Sequence, residues 1–356
     1  MKVKLYSYLV IFAACIIIAR CDYKLLDFVS FPKIDAHVHI RTYDPSFAEQ
    51  AITDNFQLLT IVTRSSSQSF IDEQLKYATF QKNKFPNTVY FTTTFSMEKF
   101  GTPGWQDQTI NQLKKDFASG AIAVKVWKDI GMTFRDQNGN FIMIDDLRFD
   151  PVLDFIASEG KSLVAHIGEP RNCWLPLDSM TVNNDREYFR DHPEYHMYLH
   201  PDYPSYEEQI FSRDFMLEKH HGLKVIGAHL GSLEWDVDEL AKCLDRYPNF
   251  AVDMAARICH FQVQDREKVR NFIIDYQDRI LYGTDLGVQE KSDMVSVRKQ
   301  LYDVWLEHWK YFTTDEEMTS ESVNGKFRGL KLDKKVLSKI YYKNAKNWYP
   351  GLGSGC

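Results

Sequence analysis

Short runs of β character alternate along the chain with stretches of helical period. The first clear run covers residues 33–40, where Ile34, Ala36, Val38 and Ile40 alternate with Asp35, His37 and His39. Side chains two apart on a strand share a face. His37 and His39 should therefore project together, near enough to clasp one metal ion, with the small apolar residues facing away. Further β-rich runs cover residues 58–63, 88–95, 121–127, 163–166, 224–229, 250–254 and 280–285. Helical stretches are expected over residues 71–82 and over residues 105–118, the second stopped by Gly120. Another opens at Pro151 and closes at Gly160. Two more show one buried face each, through Val237, Leu240, Ala241, Leu244 and Tyr247, and through Val269, Phe272, Ile273 and Tyr276. A last amphipathic helix carries Val336, Leu337, Ile340, Tyr341 and Trp348, and Asn138-Gly139 marks a hairpin turn after the fourth strand.

Eight strands, mostly followed by helices, require parallel pairing with right-handed crossovers. The expected fold is α/β, a closed (β/α)₈ TIM barrel over residues 30–350, with its working residues at the C-terminal ends of strands. No glycine-rich phosphate loop follows the first strand, which argues against an open doubly wound sheet. Residues 168–206 lack a regular period but carry Trp174, Tyr188, Phe189, Tyr195, Tyr198 and Tyr203. A long aromatic-rich loop is functional rather than disordered. Following strand five, it is expected to lie over the barrel mouth as a lid. His192, His196 and His200 are spaced four apart, but Pro193 and Pro201 interrupt any helix there. They are read as surface or lid residues.

The length of 356 residues suits one barrel, and 44% apolar residues supply a large core. A net charge of −6 without a basic block argues against a nucleic-acid partner. Residues 1–21 stand apart: Lys2 and Lys4 precede an apolar run over residues 9–19. That run is shorter than the roughly 20 residues of a membrane span and has the length of a secretory leader's core. Cys21 sits where a lipoprotein would be lipidated, although Arg20 replaces the small residue of that pattern. The chain is thus expected to be exported, periplasmic or membrane-anchored, with membrane contact only through this segment. No short metal spacing links the cysteines, and no disulfide can be assigned.

The chemistry gathers at strand ends. His37 and His39 end the first strand, His166 the fifth, His229 the sixth and Asp285 the eighth. Four histidines and an aspartate at one end of a barrel point to a metal site. The set DAHVH, VAHIGEP, IGAHLGS and LYGTD, with the closing run KIYYKNAKNWY, resembles the amidohydrolase superfamily, in particular its amidohydrolase-related branch. The likeness runs over roughly residues 30–349. It implies that His37, His39, His166 and Asp285 hold a divalent metal and that His229 is a catalytic or substrate-polarising residue. Imidazoles and a carboxylate without cysteine suit Zn²⁺. Such an ion lowers the pKa of water from about 15.7 toward about 7. Asp285 would accept the water's proton and return it to the leaving group, and His229 would polarise a carbonyl.

Lys125 lies within an apolar run, so its ammonium should point into the polar site. In binuclear members of the superfamily a lysine on this strand is carbamylated and bridges two metals. The reading adopted here is a plain cation facing substrate beside one metal. Lys128, just past the strand, is expected to be solvated. Arg257 follows strand seven, either as a fork for a substrate carboxylate or paired with Asp253 or a lid carboxylate. The expected function is a metal-dependent hydrolase acting on a small lactone, amide or ester that bears a carboxylate. The alternatives are a metal-dependent decarboxylase of the same superfamily and a catalytically silent binding barrel.

Overall fold

The computed structural model describes residues 27–353. The expected leader, with Cys21, lies outside the described residues. Eight strands appear in the predicted order: β1 (Lys33–Arg41), β2 (Phe56–Thr60), β3 (Val89–Phe91), β4 (Ala123–Val126), β5 (Ser162–Ala165), β6 (Val225–Gly227), β7 (Phe250–Asp253) and β8 (Ile280–Leu281). Parallel ladders join β1 to β2 and β2 to β3, and run on from β4 through β8. Between β3 and β4 the Lys125 amide donates to the Thr93 carbonyl at 2.7 Å. The ring closes where the Ala36 amide donates to Tyr282 O at 3.0 Å and the Asp285 amide to His37 O at 2.8 Å. A short strand, β9 (Gly287–Gln289), extends the pairing along residues 39–41 of β1. Most strands are shorter than their β-rich runs. Their C-terminal residues leave the ladder and become the mouth of the barrel.

β1 departs from simple alternation. Asp35 pairs with Leu58 but Val38 pairs with Thr60, so β1 carries one extra residue at this point. Such a bulge re-aims the side chains beyond it. Ile34 and Ala36 lie in the inner apolar cluster with Leu59, Val164, Ile226 and Leu281. Val38 and Ile40 lie in the outer cluster under the helices. The expectation that all four apolar residues face away from the histidines is therefore corrected. The bulge lets Ile34, Ala36, His37 and His39 all serve the barrel interior.

Helices α1 (Ser46–Thr53), α2 (Gln68–Lys84), α3 (Trp105–Ala118) and α4 (Asp150–Ser158) cover the first half of the barrel. The insertion after β5 holds α5 (Asn183–Asp191) among short 3₁₀ turns. It has its own apolar cluster of Cys173, Met180, Phe189 and Met197, joined by Met132. Beyond it come α6 (Tyr206–Lys219), α7 (Val237–Arg246), α8 (Arg266–Asp275) and α9 (Met294–Thr313). A reciprocal capping box of Ser205 and Glu208 opens α6. The sequence reading passed over α9, although Val297, Leu301 and Trp305 recur every fourth residue and are buried. The expected closing helix is broken by a π turn at Lys339–Lys343, whose Ile340 carbonyl accepts the Tyr282 amide at 2.9 Å. The predicted turn at Asn138-Gly139 forms, with the Asp136 amide donating to Asn140 O at 2.8 Å.

Candidate metal centre

β1 and the segment after β8 bring three side chains together. His37 Nε2 lies 3.5 Å and His39 Nε2 3.0 Å from the same Asp285 oxygen. These three residues form a group able to hold one ion, with ligand atoms all within 4.8 Å of one another. The opposite nitrogen of each imidazole is already engaged. His37 Nδ1 donates to Asp253 at 2.8 Å, and His39 Nδ1 donates to the Ile61 carbonyl at 3.0 Å. A carbonyl only accepts, so a neutral His39 carries its proton on Nδ1 and a lone pair on Nε2. With one proton per ring, two Nε2 lone pairs and a carboxylate oxygen converge, and such a cluster fits a cation, either a metal ion or a second proton on His39 Nε2 donated to Asp285. The second partner on each histidine is the support that fixes a metal ligand's tautomer.

Asp285 has a left-handed backbone, φ 69°. Burial alone would raise its carboxyl. The hydrogen bond from His39 and the neighbouring imidazoles outweigh burial and hold it well below the usual range. Asp253, fully buried, accepts the His229 and Ala255 amides at 2.9 and 3.1 Å as well as His37 Nδ1. Against the effect of burial, His37 above all holds its pKa down to about 2. The sequence reading treated Asp253 only as a possible partner of Arg257. Its signal was a carboxylate inside an otherwise apolar strand.

His166 and His229 meet edge to face with ring centroids 4.3 Å apart, and His229 lies 4.9 Å from the His37 ring. His229 Nδ1 donates to Ala255 O at 2.8 Å. Burial first, and neighbouring cations and imidazoles after it, push both rings well below the ordinary histidine range. His229 therefore presents an accepting Nε2, and polarises a carbonyl by donation only once protonated. His166 stands outside the three-residue ligand group, its Nε2 turned toward Glu169 at 3.3 Å. With the Nε2 proton donated to that carboxylate, its Nδ1 keeps the lone pair.

Lys125 is buried, and its Nζ finds no hydrogen-bond partner among the described residues. Burial lowers its pKa to about 8, against the pull of Asp253 and Asp285. Lys128 corrects the expectation of a solvated side chain. It is buried, ion-paired with Glu169, and donates to Tyr188 Oη at 3.3 Å. Its partner comes from the loop after β5, which local sequence around Lys128 does not show. Arg257 lies 3.6 Å from Glu169, with Asp185 and Glu234 nearby, and makes no pair with Asp253. Arg257 thus has the insertion's carboxylate beside it rather than Asp253, while its Nε has no hydrogen-bond partner among the described residues and its side chain lines the cavity. Glu169, which faces Lys128, His166 and Arg257 together, was missed by the sequence reading.

These groups line one cavity of about 530 Å³, to which the insertion adds Asp185, Tyr188 and Phe189. The insertion is pinned from behind by Asp185 against His260 at 3.0 Å and by the Arg171 amide on Glu234 at 2.8 Å. His192, His196 and His200 hydrogen-bond to backbone carbonyls of the insertion and form no metal-type group.

A closed parallel barrel whose C-terminal mouth carries a three-residue group able to hold a metal ion defines the class of fold. The amidohydrolase family model matches residues 103–351, and the chain belongs to that family. The match begins after β1, so His37 and His39 rest on the geometry. The fold is similar to that of an uncharacterized TIM-barrel protein from Bordetella bronchiseptica, at 14% identity and TM-score 0.50, over 91% of this chain and 100% of that one. An amidohydrolase II matches at 14% identity and TM-score 0.50, over 89% and 99%. A 2,6-dihydroxybenzoate decarboxylase from Rhizobium matches at 13% and 0.50, over 89% and 98%. At these identities the likeness is one of fold. No curated protein matches the sequence.

Proposed function

We propose that the protein is a mononuclear metal-dependent hydrolase acting on a small lactone, amide or ester that bears a carboxylate. The observation that carries this reading is the convergence of His37 Nε2, His39 Nε2 and an Asp285 oxygen, with each Nδ1 committed elsewhere. His166 is the fourth proposed ligand, through the nitrogen that Glu169 does not engage. A divalent ion on this set, Zn²⁺ by its chemistry, supplies Lewis-acid activation of water and substrate. Asp285 takes a proton from the attacking water and returns it to the leaving group. His229 offers an acceptor nitrogen and steadies the oxyanion after gaining a proton. Lys125 and Arg257 neutralise the substrate's carboxylate. The insertion acts as the lid, with Tyr188 and Phe189 keeping water from the bound substrate.

A second reading is decarboxylation of an aromatic carboxylate. It is favoured by the unpaired Lys125 ammonium beside the aromatic lining of Trp127, Tyr188 and Phe189. Zn²⁺-loaded protein assayed on lactones, amides and hydroxybenzoates separates the two readings. Release of an acid without CO₂ supports the hydrolase, CO₂ release the lyase, and silence across the panel leaves a binding barrel. Asp285→Asn should lose most turnover in the hydrolase while keeping the fold, because an amide takes no proton. Near-normal activity of that variant removes the assigned role.

A further inference from the structure

Of the cations lining the cavity, Lys128 is ion-paired with Glu169, and Arg257 lies near Glu169, Asp185 and Glu234. Arg41, the last residue of β1, and Arg64, exposed in the loop after β2, are not so matched. Among the described residues neither has a carboxylate within ion-pair distance, and Arg41 Nε is buried without a hydrogen-bond partner. The Arg64 guanidinium is held over the Trp127 ring at 5.4 Å, an orienting contact that leaves its hydrogen-bond donors free. Arg64 has φ 64°, a left-handed backbone that a non-glycine residue adopts at a cost. Such strain persists where the surrounding structure requires it, typically at ligand sites. His229, Ala256 and Asp285 share the feature and line the same cavity.

We propose that Arg41 and Arg64 form a second anion subsite, so that the substrate carries two acidic groups rather than one. This rests on the reading of a carboxylate-bearing substrate and narrows it to a small diacid derivative. The reactive carbonyl faces the His37, His39 and Asp285 group, one carboxylate goes to Lys125 and Arg257, and the other to the arginine pair. Two guanidiniums facing the same pocket suit an anion that each can bind through paired N–H donors.

The test is calorimetric binding to the Zn²⁺-loaded full chain. The probes are succinate, glutarate, adipate and isophthalate, each against its monomethyl ester. At least one diacid should bind about tenfold or more tighter than its monoester, the effect of one charge-assisted contact. Arg41→Gln and Arg64→Gln should each abolish that preference while leaving monoester affinity within about twofold. Arg64→Gly serves as the folding control, since glycine relieves the positive φ. It should melt no lower than the wild type and still lose the preference. Equal affinity for every diacid and its monoester, absence of diacid binding, or equal weakening of both ligands by the arginine variants overturns the subsite. Arg257→Lys probes the underlying reading separately, because it should weaken monoester and diacid alike. If it weakens neither while the diacid preference persists, the first carboxylate clamp is wrong and the second subsite stands.

Discussion

Lys125 brings an ammonium into the cavity wall with no acceptor within hydrogen-bond reach. The drop of its pKa from 10.5 to about 8 corresponds to about 3 kcal/mol of unfavourable charge burial. In metal-free protein at neutral pH, Lys125→Met should raise stability to urea by about 2–3 kcal/mol while binding of acidic probes collapses. Between pH about 8 and 10.5 the unfolded chain keeps a proton that the folded chain has released. Stability of the wild type should therefore rise with pH through that window, and the variant should lack the rise. Urea titrations below and above the window check both, and a variant less stable than wild type at neutral pH contradicts an unpaired ammonium. Asp253 illustrates support rather than ligation. Asp253→Asn can still accept the two backbone amides, but its NH₂ opposes His37 Nδ1–H and disturbs the tautomer. Zinc affinity should fall about 10–100-fold in competition with a chelator, with the circular dichroism unchanged. Unchanged affinity would mean that Asp253 does not position His37.

At the scale of elements, the joint between β1, β8 and α9 sets the ligand geometry. Asp35, buried on β1, accepts Trp305 Nε1 of α9 at 3.0 Å, Thr284 Oγ1 at 2.7 Å and the Thr284 amide at 3.0 Å. Thr284 immediately precedes Asp285, so a helix on the outside of the barrel steadies a carboxylate at its mouth. Trp305→Phe keeps the ring and removes the donor. It should cost about 1–3 kcal/mol of stability, the penalty of a buried charge losing a partner, and weaken zinc binding several-fold. A melt combined with a zinc titration reads both, and loss of stability with intact zinc affinity would uncouple α9 from the site. The bulge in β1 acts at the same scale. Without its extra residue, the register of β1 would turn either Ile34 and Ala36 or the two histidines away from the interior.

For the whole molecule, the expected stoichiometry is about one ion per chain under metal-replete conditions, read by elemental analysis. Two tightly held ions, with added mass on the Lys125 amine, would identify a bridged binuclear site instead. Among the described residues no helix is long and apolar enough to cross a membrane. The proposed export rests on residues 1–21 alone. Expressed with that segment in a bacterium, the protein should fractionate outside the cytoplasm. If Cys21 is lipidated despite Arg20, Cys21→Ser should move it from membranes to the soluble fraction. Recovery of the uncleaved chain in the cytoplasm contradicts export.

The order of strands and helices was legible because a two-residue or 3.6-residue period is a local property of the chain. The helix expected at about residues 105–118 is α3, Trp105–Ala118. The positions of His37, His39, His166, His229 and Asp285 were legible for the same reason, since the end of an apolar run marks the end of a strand. α9 was also readable and was passed over. Tertiary structure alone decided which side chains meet. Lys128 looked solvated because its own neighbourhood is polar, yet Glu169 reaches it from 41 residues away in the chain. Asp253 supports His37 from 216 residues away. The β1 bulge leaves no local mark, because it exists only relative to β2. A period tells which way one side chain points; a charge at a barrel mouth takes its meaning from the other strands that deliver its partners there.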